Sequence, residues 1–250
     1  MDSSVSSPVE FRDVSYNIGG RLILDRLSFE VPAGETLVLL GRSGSGKTTA
    51  LKMVNGLLSP TSGAVLVDGK ATAQWDLIRL RRGIGYVIQD IGLFPHFTIE
   101  RNVGLVPRLE GWPSERTRAR ARELLQQVDL DPAVYLQRYP RQLSGGQRQR
   151  VGVARALAAD PAILLFDEPF GAVDPVTRLE LQNQFLELRG KLAKTSIFVT
   201  HDIREALRIG SRIGLLHNGR LEVIAKPSEF VKADTEEARA FLACLTEPVF

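Results

Sequence analysis

The sequence has few of the features that mark secreted or membrane-spanning proteins. Cysteine occurs once, as Cys244, so no disulfide framework can form within the chain and a reducing compartment is expected. The stretch from Asp2 to Pro8 is polar, and we therefore expect no signal peptide. No run approaches the roughly 18 consecutive apolar residues of a membrane-spanning helix, so we expect none.

The sequence also lacks an excess of charge of one sign. It has 32 Lys and Arg against 29 Asp and Glu, a net charge of +3, which is weak evidence for a polyanionic partner. The richest basic run, Arg116 to Arg122, alternates arginine with threonine and alanine, and we interpret it as a solvated helix face. We therefore expect no nucleic-acid partner. The hydrophobic content of 44% in 250 residues suits a globular chain with a sizeable core.

The stretch GRSGSGKTT, residues 41 to 49, matches the phosphate-binding pattern G-x-x-x-x-G-K-[ST]. The apolar run Thr36–Leu40 before it predicts a buried parallel strand, and the residues after it predict a helix. Glycines let backbone N–H groups form a concave nest for an anion at the helix N-terminus. The alternative is a flexible Gly/Ser loop before an ordinary helix. The predicted nucleotide-binding residues are Gly41, Arg42, Ser43, Gly44, Ser45, Gly46, Lys47, Thr48 and Thr49.

Within this loop, two side chains have specific predicted roles. Lys47 adds a full charge that reaches the β- and γ-phosphates of a nucleotide. The Thr48 hydroxyl is a predicted ligand of Mg²⁺. The motif therefore predicts a nucleotide site, but it does not say what hydrolysis drives.

Acidic side chains follow a second apolar run, Ile163–Phe166. Open α/β sheets bind ligands beyond the carboxyl ends of their parallel strands. Asp167 is therefore a predicted Mg²⁺ ligand, and Glu168 a predicted general base for an attacking water. The alternative is a pair of acids that caps the strand end.

Two more polar residues follow predicted buried strands. His201 comes directly after Ser196–Thr200, where an imidazole would hydrogen-bond a γ-phosphate or orient the water. The alternative is a packed structural histidine. Gln89 follows the run Ile84–Ile88, and its amide oxygen would join the Mg²⁺ and water shell. We count Glu168, His201 and Gln89 as catalytic candidates.

A second Gly-rich turn, Leu143–Gln147, precedes a helix predicted from Gln147 to Ala158. Ser144, Gly145, Gly146 and Gln147 would form another anion nest; the alternative is a plain N-capped helix. One nucleotide scarcely needs two such nests from the same chain. A head-to-tail pair of chains would use both.

The rest of the chain predicts an α/β fold. We expect a P-loop NTPase core, which is a parallel sheet with helices on both faces. We also expect an N-terminal antiparallel β subdomain and an inserted α-helical subdomain. Strands are predicted at Val9–Tyr16 and Leu22–Val31, with hairpin turns at Asp68-Gly69 and Asn218-Gly219. Ser114 is the predicted cap of a helix through Val128.

These motifs together resemble those of ATP-binding cassette (ABC) transporter ATPases. Gly41–Thr48, Leu143–Gln147 and Ile163–Glu168 resemble the Walker A, signature and Walker B motifs. The resemblance extends to Tyr16 as the adenine-stacking aromatic, Gln89 as the Q-loop glutamine, Gly171-Ala172-Val173-Asp174 as the D-loop and His201 as the switch histidine. The D-loop differs from the frequent Ser-Ala-Leu-Asp but keeps Asp174. The resemblance implies a dimer of two chains with ATP, and Mg²⁺ as cofactor, between them.

A finer resemblance concerns the stretch Gly85–Ile99, which is similar to the ATPases of osmoprotectant importers. It implies uptake of glycine betaine, choline or carnitine, a permease docked in the groove after Gln89, a substrate-binding protein as an indirect partner, and a cytoplasmic, peripheral location on the inner face of the membrane. The alternatives are an ABC transporter of another solute and a non-transport ABC ATPase.

The expected domain plan is a single ABC ATPase domain over residues 1–250. Residues 9–89 and 161–225 form its catalytic core with the β subdomain, residues 90–160 form the helical signature subdomain, and residues 226–250 form a C-terminal tail. Similar ATPases often carry a C-terminal pair of CBS domains, and we expect no room for them in this tail.

Overall fold

The computed structural model describes residues 7–89, 91–171 and 173–246. The strands are β1 (Val9–Ile18), β2 (Arg21–Val31), β3 (Thr36–Leu40), β4 (Ser62–Val67), β5 (Lys70–Ala71), β6 (Ile84–Val87), β7 (Ile163–Asp167), β8 (Thr195–Thr200), β9 (Arg212–His217) and β10 (Arg220–Ala225). The helices are α1 (Lys47–Val54), α2 (Leu77–Arg82), α3 (Ile99–Val103), α4 (Leu105–Leu109), α5 (Ser114–Gln127), α6 (Pro132–Tyr135), α7 (Gly145–Leu157), α8 (Pro175–Leu192), α9 (Ile203–Ile209), α10 (Pro227–Phe230) and α11 (Glu236–Thr246). Short 3₁₀ turns lie at Thr72–Gln74 and Pro140–Gln142.

The chain divides into two compact units. The first comprises the chain through Leu80 and again from Thr195, and the second runs from Arg81 to Lys194. The domain plan expected from the sequence, with its boundaries at residues 90 and 160, stays a prediction.

The first unit contains an antiparallel sheet in the order β2-β1-β4-β5. Val9 on β1 pairs with Val31 on β2 and with Val67 on β4. Along β2, Leu27, Phe29 and Val31 are buried and alternate with exposed residues, because successive side chains of a strand point to opposite faces. The turn between β4 and β5 has positive φ at Asp68 and Gly69, as the hairpin prediction requires. The predicted antiparallel subdomain is thus present.

Strand β3 lies at the centre of the second set of strands in this unit. It pairs in parallel with β8 on one side and β9 on the other, and all its residues are buried. This explains why Thr36–Leu40 is uniformly apolar apart from its first residue. Strand β10 then pairs antiparallel with β9 across the turn Asn218-Gly219. The parallel pairing confirms the α/β prediction, and the carboxyl end of β3 leads into the phosphate loop.

The second unit contains the parallel pair β6 and β7, in which Val87 lies opposite Phe166. Because the two strands run in the same direction, Gln89 and Asp167 follow the same edge of this pair. Helix α5 buries Thr117 and Ala121, whereas the arginines at positions 116, 118 and 122 are exposed. The prediction of a solvated face therefore holds for these three arginines, whereas the Arg120 side chain is only 18% exposed and donates from Nη2 to the carbonyl of Leu157 at 3.3 Å.

Two predicted helix starts are wrong. Helix α5 begins at Ser114, so Pro113 is its N-cap, and within the described chain no side chain caps it. The Pro113 carbonyl instead accepts from both the amide and the hydroxyl of Thr117, and this fixes the first turn. Helix α7 begins at Gly145, two residues before the predicted start, because Ser144 is already its cap. Over residues 7–89, 91–171 and 173–246, no helix is long and apolar enough to cross a membrane.

Candidate functional site

The phosphate loop connects the carboxyl end of β3 to α1, as predicted. Gly44 and Gly46 have φ of 80° and 105°, which glycine adopts without a steric penalty. A Cβ atom at Gly41 would lie 2.3 Å from the carbonyl oxygen of Leu216, and one at Gly46 would lie 2.6 Å from Cδ2 of Leu24. The loop therefore requires glycine at both ends, where it packs directly on its neighbours.

Lys47 places its charge over this loop. Lys47 is 4% exposed, and its Nζ donates to the carbonyl oxygens of Gly41 at 2.7 Å and Arg42 at 2.8 Å. The ammonium group is thus held on the loop backbone at the N-terminus of α1. The first N–H groups of a helix have no acceptor within it, and the positive end of the helix dipole attracts anions.

The loop residues fit a phosphate group. Among the described residues no side chain caps α1, and its first turn, Lys47-Thr48-Thr49, contains no acid. The Ser45 hydroxyl is buried and has no hydrogen-bond partner in the described part of the chain. A buried hydroxyl without a partner is costly, and an anion at the loop would satisfy it. The two half-buried threonines, Thr48 and Thr49, follow in the first turn of α1.

The hairpin between β9 and β10 supports the loop from behind. The amide of Gly219 donates to the carbonyl of Ser45 at 3.2 Å, and its own carbonyl accepts from the amide of Asp25 at 2.9 Å. Arg220 in turn donates from Nε to the Asp25 carboxylate at 2.7 Å. These contacts fix the backbone of the loop on the side of strand β2.

Tyr16 lies on the strand next to this support. It pairs with Leu24 across β1 and β2, and the Leu24 side chain packs against Gly46. Tyr16 is half-buried. In the first unit, Leu24 therefore lies between the phosphate loop and Tyr16, the predicted adenine-stacking aromatic.

The Arg42 side chain pairs with a carboxylate, although the sequence groups Arg42 with the predicted phosphate-binding residues. Its Nε donates to Oε1 of Glu237 on α11 at 2.7 Å. This hydrogen bond, the largest cause, and the carboxylate charge raise the pKa of the Arg42 guanidinium. Only the backbone of Arg42 takes part in the loop, where its carbonyl accepts from Lys47. Ser43, the next residue, is exposed.

His201 lies between β8 and α9 and its side chain is exposed. This excludes the packed core histidine that the sequence left open. The residues around it are fixed, since the Thr200 hydroxyl donates to Glu205 at 2.6 Å and accepts from the amide of Asp202 at 3.0 Å. Asp202 also caps α9. His201 therefore extends from a rigid strand-to-helix junction in the first unit.

In the second unit, Asp167 ends strand β7 and is 4% exposed. The Tyr86 hydroxyl, on neighbouring strand β6, donates to its Oδ2 at 3.3 Å. Burial, with a smaller contribution from the Asp167 charge, raises the pKa of Tyr86. Sequence reasoning missed Tyr86. The signal was available, because Tyr86 interrupts an otherwise aliphatic strand three residues before Gln89.

Glu168 follows with an unusual backbone conformation. Its φ is 44°, in the left-handed region that costs a residue with a Cβ about 1–2 kcal/mol. Its carbonyl accepts from the amide of Gly171 at 3.1 Å, which closes a tight turn. The chain thus turns sharply out of the strand at the predicted general base. Backbone strain of this kind is concentrated at functional sites.

Gln89 is exposed in the turn that follows β6, while Asp90 lies outside the described residues. The segment after it is held by Asn102, which is fully buried on α3. Its Oδ1 accepts from the amide of Phe94 at 2.8 Å, and its Nδ2 donates to the carbonyls of Phe94, Phe97 and Thr98 at 3.1 Å. Phe94 remains 41% exposed. Asn102 therefore orders the apolar segment around Phe94, which the sequence predicts to be the docking site of a partner.

The second Gly-rich turn forms a capped helix start. Ser144 accepts from the amide of Gln147 at 3.2 Å, and the Gln147 side chain accepts from the amide of Ser144 at 3.0 Å and donates to the Tyr135 hydroxyl at 3.0 Å. Gln147 thus serves the local structure. A Cβ at Gly145 would meet no atom of the described chain within 4 Å, so this end of α7 is open.

Thr177 connects this turn to Asp174. A Cβ at Gly146 would lie 2.4 Å from Thr177 Cγ2, while the Thr177 amide donates to Asp174 Oδ1 at 3.0 Å. Hydrogen bonds from Thr177 lower the pKa of the Asp174 carboxyl. In the second unit, Gly146 and Asp174 therefore both lie against Thr177. Ala172 of the predicted D-loop lies outside the described residues.

Comparisons with known proteins agree with this geometry. The chain is 53% identical over 214 residues to an osmoprotectant import ATP-binding protein of Salmonella typhimurium, which covers 86% of the chain and 56% of the relative. It is 49% identical over 219 residues to a glycine betaine/carnitine/choline transport ATP-binding protein of Bacillus subtilis, covering 88% of the chain and 57% of the relative. The chain therefore spans little more than half the length of these relatives.

A solved structure matches the fold. It is a dimeric ATP-binding cassette in a post-hydrolysis state bound to ADP and Pi, with a TM-score of 0.78, 36% identity, and coverage of 88% of this chain and 98% of that one. The family model described as ABC transporter matches residues 24–171, which include the phosphate loop, the signature turn and the β7 carboxylates. On these motifs, this fold and these matches, the chain belongs to the ABC transporter family.

Proposed function

We propose that the chain is the ATP-binding subunit of an ABC importer, and that it binds and hydrolyses ATP to drive uptake of a solute. The observation that carries the proposal is the position of Lys47, whose ammonium group lies on the backbone of a glycine loop at an uncapped helix N-terminus within the described chain. A nucleotide polyphosphate is the ligand that satisfies both features.

The residues of the first unit would bind the nucleotide. Lys47 would release one loop carbonyl and bond the β- and γ-phosphates, and the loop amides would cradle them. Tyr16 would stack on the base. Its place beside Leu24 and Gly46 supports this role. His201 would hydrogen-bond the γ-phosphate from the end of β8.

Mg²⁺ bound with the nucleotide would neutralise the charge that develops on the phosphates. The Thr48 hydroxyl, the Asp167 carboxylate and the Gln89 amide oxygen would hold it, since these oxygen donors suit a hard cation. Glu168 would take the proton of the attacking water while the bond between the β–γ bridging oxygen and the γ-phosphorus breaks. ADP and inorganic phosphate are then the products.

A second copy of the chain would complete each site. Ser144, Gly145 and Gly146 of one copy would face the γ-phosphate held by the other, because they form an open helix N-terminus with a hydroxyl that can donate. Asp174 would lie at the same interface. The dimeric form of the related cassette structure supports this arrangement. Closure on ATP and opening after hydrolysis would then drive the membrane partners.

The substrate class follows from the relatives, whose names specify osmoprotectants, glycine betaine, carnitine and choline. We therefore propose quaternary amines as the solutes, with a substrate-binding protein as an indirect partner. The permease would dock on the segment around Phe94, which Asn102 orders and leaves partly exposed. The chain would then be cytoplasmic and peripheral on the inner face of the membrane. An ABC transporter of another solute is the second candidate.

Reconstitution tests this proposal. The chain is assembled with its cognate permease and binding protein in liposomes, and ATP hydrolysis is measured with and without glycine betaine, choline and carnitine. We expect at least one of them to stimulate hydrolysis, and Glu168→Gln to abolish the stimulated rate. Stimulation by none of the three, but by an unrelated solute, would favour the second candidate; no hydrolysis at all would refute the proposal.

A further inference from the structure

The phosphate loop is tied by a side chain to the C-terminal helix. Arg42, the second residue of the loop, donates from Nε to Oε1 of Glu237 in the first turn of α11, across 195 positions of sequence. The Glu237 side chain is only 6% exposed, whereas that of Arg42 is 67% exposed. The carboxylate is therefore the fixed partner, and it holds the arginine.

The other end of α11 is fastened to α9, the helix that follows His201. Arg204 on α9 donates from Nη2 to the carbonyl of Cys244 at 3.2 Å. Between the two ends, Ala238 is fully buried and the amide of Ala238 is capped by the Thr235 hydroxyl at 3.2 Å. Helix α11 thus connects the phosphate loop and the histidine-bearing junction within the first unit.

The backbone of Arg42 connects its side-chain contact with Glu237 to the structure of the phosphate loop. Its carbonyl oxygen accepts from Lys47 Nζ at 2.8 Å and from the Ser45 amide at 3.2 Å. The residue that α11 holds by its side chain is therefore the residue that orients the lysine and the turn of the loop. An ordered loop binds phosphate more tightly, because less conformational entropy is lost on binding.

We propose that Glu237 is a positioning residue for the phosphate loop, and that docking of α11 and binding of ATP are thermodynamically linked through Arg42. This inference rests on the proposed function for its ligand. Linkage is reciprocal, so ATP at the loop favours the docked helix to the same extent that the docked helix favours ATP.

The direction in which Glu237→Gln changes the affinity for ATP distinguishes this positioning role from a purely electrostatic effect. A carboxylate near a polyphosphate repels it, so removing the charge of Glu237 would tighten ATP binding if charge alone mattered. Loss of the hydrogen bond to Arg42 should instead weaken it. For a pair with one exposed partner we expect Glu237→Gln to raise the dissociation constant of ATP by about two- to fivefold, with little change in kcat at saturating ATP.

Two further variants sharpen the comparison. Glu236→Gln is the matched control, because Glu236 is exposed on the same turn of α11 and its removal takes away a like charge without this hydrogen bond. We expect it to leave the affinity unchanged or slightly tighter.

Arg42→Gln breaks the pair from the loop side. Combined with Glu237→Gln it should add no further loss, since both remove the same interaction.

Cys244 provides a readout that does not depend on hydrolysis. It is the single cysteine of the chain, it is exposed, and with Arg42, Ala240 and Phe241 it lines a hollow beside the loop. Its rate of reaction with Ellman's reagent reports how firmly α11 is docked. We expect ATP to slow the reaction in the wild type, and Glu237→Gln to accelerate it in the absence of nucleotide.

Unchanged or tighter ATP binding by Glu237→Gln would overturn the inference, and so would a wild-type thiol rate that ATP does not alter. Either result is compatible with normal ATP hydrolysis and leaves the proposed function intact. Conversely, a wild type that binds ATP and slows its thiol reaction, yet fails to hydrolyse ATP, would refute the proposed function while supporting the link between α11 and the loop.

Discussion

Tyr86 donates a hydrogen bond from its hydroxyl to Oδ2 of Asp167 at 3.3 Å, between the paired strands β6 and β7. The contact supplies a donor to a carboxylate that is almost entirely buried. A buried carboxylate must be paired or hydrogen-bonded to remain charged. The tyrosine therefore supplies one of the hydrogen bonds that the buried carboxylate of Asp167 requires.

This contact predicts a dependence of stability on alkaline pH. Burial first, and the Asp167 charge second, raise the pKa of Tyr86 above that of a tyrosine in the unfolded chain, about 10. Above pH 10 the unfolded state therefore releases a proton that the folded state keeps. The stabilisation from Tyr86 is complete below pH 10 and is lost as pH rises further, at most about 1.4 kcal/mol per pH unit.

Tyr86→Phe removes this titration. We expect the unfolding free energy of the variant to fall less steeply between pH 10 and 11 than that of the wild type, as measured by urea denaturation at each pH. Equal slopes for the two proteins would show that Tyr86 does not titrate abnormally. Near pH 7 the variant should be less stable by about 0.5–1.5 kcal/mol, the usual contribution of one hydrogen bond.

Lys47→Met removes the charge that we expect to bind the phosphates. Loss of a charge-assisted hydrogen bond of about 1.5–3 kcal/mol corresponds to ATP binding weaker by about tenfold or more. Lys52→Met is the control, because Lys52 lies on the same helix in its last turn. Fluorescence titration with a nucleotide analogue should show a loss for Lys47→Met only; equal affinities for both variants would contradict the role of Lys47.

The left-handed backbone of Glu168 predicts a trade-off between stability and activity. Asparagine adopts positive φ more readily than glutamate, so Glu168→Asn should raise the unfolding free energy by about 0.5–1 kcal/mol and abolish hydrolysis. Glu168→Gln should also abolish hydrolysis without the gain in stability. Chemical denaturation distinguishes the two, and an asparagine variant no more stable than the glutamine variant would show that the strain is absent.

The close approach of α7 to α8 predicts a rescue. Gly146→Ala would place a methyl group 2.4 Å from Thr177 Cγ2 and should destabilise the fold by about 1–3 kcal/mol. Thr177→Ser removes that methyl and keeps the amide that donates to Asp174, the cap of α8, so the double variant should recover most of the loss. Gly145→Ala, at the open position, should cost nothing. A thermal melt of the four proteins checks this, and a double variant as unstable as Gly146→Ala would contradict it.

Local patterns in the sequence predicted much of this structure. Strand β3 and the phosphate loop were predictable because each has a local signal, an apolar run and a spaced set of glycines, although the residues they pack against lie far away in the sequence. The same holds for the hairpin turns, where Asp68-Gly69 and Asn218-Gly219 need positive φ. Ser114 is not the helix cap that the sequence predicts. Pro113, the residue before it, provides the first carbonyl of the helix.

Contacts between distant residues were not predictable in this way. Tyr86 and Asp167 are 81 positions apart, and Arg42 and Glu237 are 195 apart. Their pairing depends on strand order and on where α11 docks. The sequence groups Arg42 with the predicted nucleotide-binding residues, and nothing local to Arg42 indicates a carboxylate on a helix far along the chain.

We propose that the phosphate loop of one chain is completed by Ser144–Gly146 of a second. Mixing two defective chains, Lys47→Met and Ser144→Arg, both in the Glu168→Gln background, tests it. A head-to-tail dimer of the two contains one intact site, formed by the loop of the second variant and the signature turn of the first.

Analytical ultracentrifugation with ATP and Mg²⁺ is the decisive measurement. We expect each variant alone to stay monomeric, whereas the mixture forms dimers that hold one ATP each. Dimers of either variant alone, or a mixture that binds ATP and remains monomeric, would contradict it.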